Sequence, residues 1–262
     1  MNHLLSIVWD VSPEIISIGF LKLRWYGLLF GTAYLLAYYL VAYIYKKEGY
    51  PIKEVDSIFI YTAIGGIVGA RLGHILFYDI QMYMKNPMEM LYIWHGGLAS
   101  HGGAIGILFM MYIYSRKKGT QSYIWLMDRI VLPVGLGGMC IRLGNLFNSE
   151  IIGTPTDLPW GFVFVNNPYF SAVPRHPAQL YEAMAYLAIF IILWAYYHAQ
   201  FGKLKDGRIL GLLMIFVFGA RFFIEFIKEN QVNFESQMML NMGQWLSIPL
   251  VLIGFWLFFR KK

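Results

Sequence analysis

Charge is scarce in this chain. Of its 262 residues only 14% are Asp, Glu, Lys or Arg, against 58% that are apolar. A soluble domain carries about 25% charged and roughly 45–50% apolar residues. A water-facing surface needs more charge than this chain owns, which argues against a soluble enzyme. Disorder is excluded too, because nothing here is polar enough to stay solvated. Cysteine is nearly absent. The single Cys140 rules out an internal disulfide framework and a cysteine-rich metal site. Its plainest reading is a small buried side chain rather than a catalytic thiol. No cleavable leader is expected, since residues 1–10 lack a basic start and no small-residue cleavage site follows a short apolar core.

What is present is apolar length. Aromatic residues make up 18%, as suits a protein whose Trp and Tyr gather at membrane interfaces. A span needs about 20 apolar residues, and seven candidates follow at about 25–45, 57–78, 97–114, 123–141, 179–199, 209–227 and 241–259. The fourth is interrupted by Asp128, Arg129 and Pro133. The expected fold is therefore all-α: a polytopic integral membrane protein of seven transmembrane helices, forming one transmembrane domain over 1–262. The longest gap, about 142–178, is rich in Gly, Pro and Asn and is expected to be a folded extracytoplasmic loop.

Orientation follows from the basic residues of the short loops. Lys46, Lys47 and Lys53, then Arg116, Lys117 and Lys118, then Lys203, Lys205 and Arg208, and finally Arg260, Lys261 and Lys262 all fall on one side. The opposite loops hold Lys22, Arg24, Lys85, Arg175 and Lys228. The bias predicts an outside N-terminus and a cytoplasmic C-terminus. Most of the +6 net charge is explained in this way and calls for no nucleic acid partner.

Ionisable residues inside a bilayer are costly and are functional candidates by default. With this topology they collect at the outer ends of the spans: Arg24 and Tyr26, Arg71 and His74, His95, Ser100 and His101, Arg142 and Asn145, His176, Gln179 and Glu182, Arg221 and Glu225, Asn241 and Gln244. Asp128 and Arg129 are exceptions near an inner end, where snorkelling explains them. Three spans repeat one device, Gly-Ala-Arg71-Leu-Gly-His, Ile-Arg142-Leu-Gly-Asn and Gly-Ala-Arg221-Phe-Phe-Ile-Glu. One such arginine would be read as snorkelling. Three at matched depth point to a phospholipid head-group site, because the guanidinium is always charged and binds phosphate in a bidentate way. Glu225, four residues after Arg221 on the same helix face, is expected to hold that guanidinium. Gly65, Gly69 and Gly73 line one face of span two and would let another helix approach closely.

The segment 94–103 places two Gly-Gly pairs beside His95 and His101. A metal would need a third ligand such as His74 or His176, at a spacing that does not favour it. A general base is the better reading for His101, since histidine takes a proton near neutral pH. For His95 a structural role stands beside it. The segment 142–153 carries Arg142, Asn145, Asn148 and Glu150 before Gly153. By itself it marks a polar site without naming a reaction. A receptor or transporter is the rival class, but a transporter should show midplane polarity and halves of similar pattern. Another lipid-head-group transferase with the same arginines is a second rival.

At these residues the sequence resembles the bacterial prolipoprotein diacylglyceryl transferase family, over essentially the whole chain. The resemblance rests on Arg142-Leu-Gly-Asn145 through Asn148, Glu150 and Gly153, on the His-Gly-Gly segment around His101, on Arg175-His-Pro-Ala-Gln179-Leu-Tyr-Glu182, on Arg221 to Glu225, and on Arg24-Trp-Tyr26-Gly27. Ile141, Leu146 and Ala178 depart from the usual family pattern, and His95 falls at a variable position. The resemblance implies transfer of the diacylglyceryl group of phosphatidylglycerol to the lipobox cysteine thiol of a preprolipoprotein, with glycerol 1-phosphate leaving. It implies a multi-pass protein of the bacterial cytoplasmic membrane, its active site toward the outer leaflet, with no cofactor and no metal. The catalytic residues it suggests are His101, Arg142, Arg221 and Tyr26. Those for substrate binding are Arg71, Asn145, Asn148, Glu150, Gly153, Gln179 and Glu225.

Overall fold

A computed structural model of the chain describes residues 6–19, 21–117, 120–170, 173–229 and 238–260. Of the basic loop residues, Lys118, Lys261 and Lys262 lie outside the described residues. The helices are α1 (Trp25–Glu48), α2 (Ile52–Phe77), α3 (Ile80–Lys85), α4 (Ser100–Lys117), α5 (Tyr123–Ile130), α6 (Val134–Phe147), α7 (Ala178–Ala199), α8 (Arg208–Ile224) and α9 (Met242–Phe259). Among the described residues four short strands accompany them: β1 (Ile7–Trp9), β2 (Glu14–Ile18), β3 (Leu21–Arg24) and β4 (Phe162–Phe164).

Each predicted span falls on a helix, but the helices differ in kind. α1, α2, α7, α8 with its following turn, and α9 are long and apolar enough to cross a membrane. A sixth is added if α5 and α6 count as one broken span. The break coincides with Pro133, which supplies no N–H and stands as the N-cap of α6. α4 is not in this group. Ser100 and His101 open its 18 residues and Arg116 and Lys117 close them, which lowers its apolar content.

Most of the chain is helical, as expected, and short strands of three to five residues are added to the all-α expectation. β2 and β3 form an antiparallel hairpin, pairing Ile16 with Leu23 and Ile18 with Leu21. The apolar residues of β2 are the β-branched Ile15, Ile16 and Ile18, and Gly19 takes the left-handed φ of 59° that the turn requires. β1 pairs in parallel with β4, Ile7 opposite Phe162 and Trp9 opposite Phe164.

The chain divides into two compact units. One comprises residues up to Tyr39 and from Ile130 onward, and the other Leu40–Arg129. In the first, Leu146 of α6 and Ile152, Phe162 and Phe164 of the segment that follows form a small core. Trp9 stacks on Phe162 with ring centroids 5.5 Å apart and donates its indole N–H to the Leu146 carbonyl at 3.0 Å. The start of α9 is fixed by a capping box. Asn241 accepts from the Gln244 N–H, and the Gln244 side chain accepts from the Asn241 N–H, both at 3.0 Å. In the second unit, α2 and α4 pack along a glycine seam. A Cβ on Gly73 would lie 2.7 Å from the Gly102 Cα, and one on Gly69 would overlap the Gly102 carbonyl. Gly65, Gly69 and Gly73 thus allow the close approach their spacing predicts, with α4 as the partner.

Candidate active site

Most of the predicted polar residues meet in the first unit, where α6, α7 and the turn after α8 converge. Arg142, on the last turns of α6, donates Nη1–H to Asn145 Oδ1 at 3.2 Å. Its Nε stands 3.1 Å from Glu182 Oε2, at ion-pair distance. Asn145 in turn donates to Glu150 Oε1 at 2.7 Å, and Asn148 donates to the same oxygen at 3.3 Å. Gln179 Nε2 donates to the Glu150 carbonyl at 2.6 Å. The segment 142–150 is therefore a relay of amides that aims one carboxylate.

The backbone around Glu150 is strained. Ser149 and Ile151 both take left-handed φ values, 52° and 58°. For a β-branched residue that is an outlier, costing about 1–3 kcal/mol. The conformation is held by Asn167 donating to the Ser149 carbonyl at 2.8 Å, by Gln179 on Glu150, and by burial of Ile152. Gly153 follows where no side chain fits: a Cβ there would lie 2.6 Å from the His176 carbonyl and 2.7 Å from that of Ile227. Around this loop the buried atoms Asn148 Oδ1, Ser149 Oγ and Gln179 Oε1 have no hydrogen-bond partner among the described residues. Arg175 Nε and both Glu182 carboxylate oxygens are likewise buried without a hydrogen bond among the described residues.

Tyr26 packs on the same helix end. A Cβ on Gly144 would lie 2.7 Å from its ring, and Trp25 stacks on Phe147 at 4.8 Å. The Tyr26 phenol is close enough to Glu150 and Arg142 to interact with both charges. Arg221 lies half-buried on the last turn of α8. Both Arg142 and Arg221 act electrostatically on the Tyr186 phenol of α7.

Glu225 does not hold Arg221 as expected. The Glu225 N–H still bonds to the Arg221 carbonyl, but its carboxylate takes the Lys228 Nζ at 3.1 Å, brought round by the 3₁₀ turn at Glu225–Ile227. Sequence reasoning missed Lys228, which it counted only as a loop charge. The signal was its position three residues after a glutamate. The same lysine stands 3.8 Å from Glu182 Oε1. His176, in the loop before α7, is pushed below its usual pKa by burial.

Arg71 and His101 belong to the second unit. Arg71 is buried and donates Nε–H to the Met90 carbonyl, Nη1–H to those of Gly96 and Gly97, and Nη2–H to those of Glu89 and Tyr92. A guanidinium has five N–H donors, and all are spent on this loop. Matched depth placed Arg71 with the phosphate arginines, but its contacts make it the clasp of residues 89–97, stacked on Tyr83. His101 lies on the first turn of α4 against Phe77 and Tyr78, at centroid distances of 5.6 and 5.8 Å. His95 instead contacts the Glu89 carboxylate at 2.9 Å.

Apolar helices of membrane length, with a polar centre of buried Glu182, Glu225 and Lys228 beside half-buried Arg142 and Arg221 and the exposed Glu150, define a multi-pass membrane protein that gathers charge at one place. The chain belongs to the prolipoprotein diacylglyceryl transferase family, whose sequence profile matches residues 13–260. It is 46% identical to the phosphatidylglycerol–prolipoprotein diacylglyceryl transferase of Chloroherpeton thalassium, over 97% of this chain and 94% of that one. It is 44% identical to the transferase of the same name from Tolumonas auensis, over 95% of each. The Bacteroides fragilis transferase of that name is 42% identical over 100% of this chain and 98% of its own.

Proposed function

We propose that this chain transfers the sn-1,2-diacylglyceryl group of phosphatidylglycerol to the lipobox cysteine thiol of preprolipoproteins. The bond formed is a thioether and the bond broken is the glyceryl C–O bond to phosphate, so this is alkyl transfer. Glycerol 1-phosphate leaves, and the sequence of reactions it opens is lipoprotein maturation. The observation that carries the reading is the contrast among arginines. The donors of Arg71 are spent on loop carbonyls, while the half-buried Arg142 and Arg221 both face the Tyr186 phenol and are not clasped in this way.

The physical argument runs from charge. The leaving phosphate gains negative charge as its C–O bond breaks, and preorganised guanidiniums in a water-poor site stabilise that charge. Arg142 and Arg221 take this role. The sulfur must become a thiolate, and a free thiol has a pKa of about 8.5. His101 is the assigned acceptor of its proton. Tyr26 and Asn145 orient lipid and thiol, while Asn148, Glu150, Gly153, Gln179 and Glu225 shape the head-group pocket. The lipid supplies its own leaving group, so the reading requires no cofactor.

The wider reading keeps seven spans, with α4 and the broken α5–α6 pair counted, an outside N-terminus and a cytoplasmic C-terminus. It treats 1–262 as one transmembrane domain with an extracytoplasmic insertion at about 142–178. The site faces the outer leaflet of the bacterial cytoplasmic membrane. The basic residues of the short loops support this orientation.

The test is release of glycerol phosphate from phosphatidylglycerol by purified protein, with and without a lipobox peptide. Release should require the peptide thiol. Arg142→Ala and Arg221→Ala should each lower the rate by about 10²-fold or more, the scale expected for one transition-state charge donor. Full rate in both variants would overturn the phosphate assignment.

A further inference from the structure

Lysine is among the residues least often fully buried, and when buried it is paired. Lys228 has a side chain only 4% exposed, with Nζ between Glu225 at 3.1 Å and Glu182 at 3.8 Å. Glu182, 1% exposed, lies with its other oxygen 3.1 Å from Arg142. Four charges of alternating sign therefore run in a line: Arg142, Glu182, Lys228, Glu225. They come from α6, α7 and the turn after α8.

The lysine is fixed by its backbone. Gly153 and Lys228 form a β-bridge. The Ile227 carbonyl accepts from the Thr154 N–H at 2.9 Å, and the Glu229 N–H donates to the Ile152 carbonyl at 3.1 Å. Arg175, on the same strip, donates to the Gly153 carbonyl at 3.1 Å and pairs with Glu229 at 2.5 Å. Glu225 is pinned from the far side, where a Cβ on Gly243 would lie 2.8 Å from its carboxyl carbon. The ammonium is thereby tied to the strained loop that carries Glu150.

We propose that Lys228 is a positioning residue that keeps Arg142 available to a lipid phosphate. This rests on the reading of the site given above. Two cations and two carboxylates cancel along the line. Because Lys228 shares the charge of Glu182, the Arg142 guanidinium is not drawn wholly into that pair and keeps positive charge for an incoming phosphodiester. Without the lysine, Glu225 loses its cation, Glu182 falls to Arg142 alone, and the line carries net negative charge beside the lipid's own. Binding of the anionic lipid suffers, while handling of the thiol substrate does not.

The experiment separates the two substrates. Purified wild type, Lys228→Met and Lys228→Arg are assayed in mixed micelles. Phosphatidylglycerol mole fraction is varied at fixed lipobox peptide, and then the reverse. Lys228→Met should raise the apparent KM for the lipid by on the order of tenfold and leave that for the peptide within about twofold. Lys228→Arg should restore the lipid KM. If Lys228→Met fails to accumulate in membranes, Lys228→Gln, which is neutral but keeps a polar side chain, carries the same expectation. A neutral variant with wild-type lipid KM overturns the proposal. So does an equal loss toward both substrates with lowered thermal stability, which would make the lysine structural only. If wild type itself transfers no diacylglyceryl group, the proposed function fails, whatever the variants do.

Discussion

A guanidinium has five N–H donors, and how many are spent separates the arginines of this chain. Arg71 spends all of them on the loop 89–97. Lysine offers three donors and no planar fork, so Arg71→Lys should cost about 2 kcal/mol or more. Thermal unfolding in detergent measures this, and unchanged stability would contradict the clasp. The Arg-Leu-Gly and Gly-Ala-Arg repeats showed where the guanidiniums would fall along the spans. They did not show what each touches, because depth fixes the height of a side chain and partners come from loops distant in sequence. Lys228 illustrates the other limit. A lysine in a loop is usually solvated, and only the fold brings Glu182 to it from a separate helix.

The elements were more legible than their partners. Six of the apolar runs each fall on one helix and the fourth on two, α5 and α6, since apolar length is a local property. The Gly65, Gly69 and Gly73 face announced a close packing, and the structure supplies Gly102 and Gly106 opposite it. Gly69→Leu should therefore separate α2 from α4 and destabilise by about 1–3 kcal/mol or more, read as a fall in thermal stability. Asn241 and Gln244 were grouped with the site residues by depth, but their work is to cap α9. Asn241→Ala should cost about 1 kcal/mol. The β1–β4 pair was not legible, since it joins residues far apart in sequence. In the folded loop before α7, burial holds His176 below its usual pKa, and the unfolded chain takes up a proton first as pH falls below about 6.5. Its contribution to stability is present above that value and is lost as pH falls through the folded pKa. His176→Asn should flatten the fall in melting temperature between about pH 7.5 and 5.

At the scale of the molecule, the sparse charges have two employments. Lys and Arg in one set of loops carry the proposed orientation, and a smaller buried set gathers around Arg142. In a Cys140→Ser background, single cysteines placed within 46–53 should react with an impermeant reagent only after cells are opened. Those within 154–160 should react in intact cells, and the reverse pattern would contradict the topology. The central claim is the chemistry at the substrate sulfur. Purified wild type, phosphatidylglycerol and a lipobox peptide should give a peptide whose mass rises by one diacylglyceryl group, through a linkage that survives hydroxylamine as a thioether does. No mass gain, or a gain that hydroxylamine removes as it would a thioester, would contradict it.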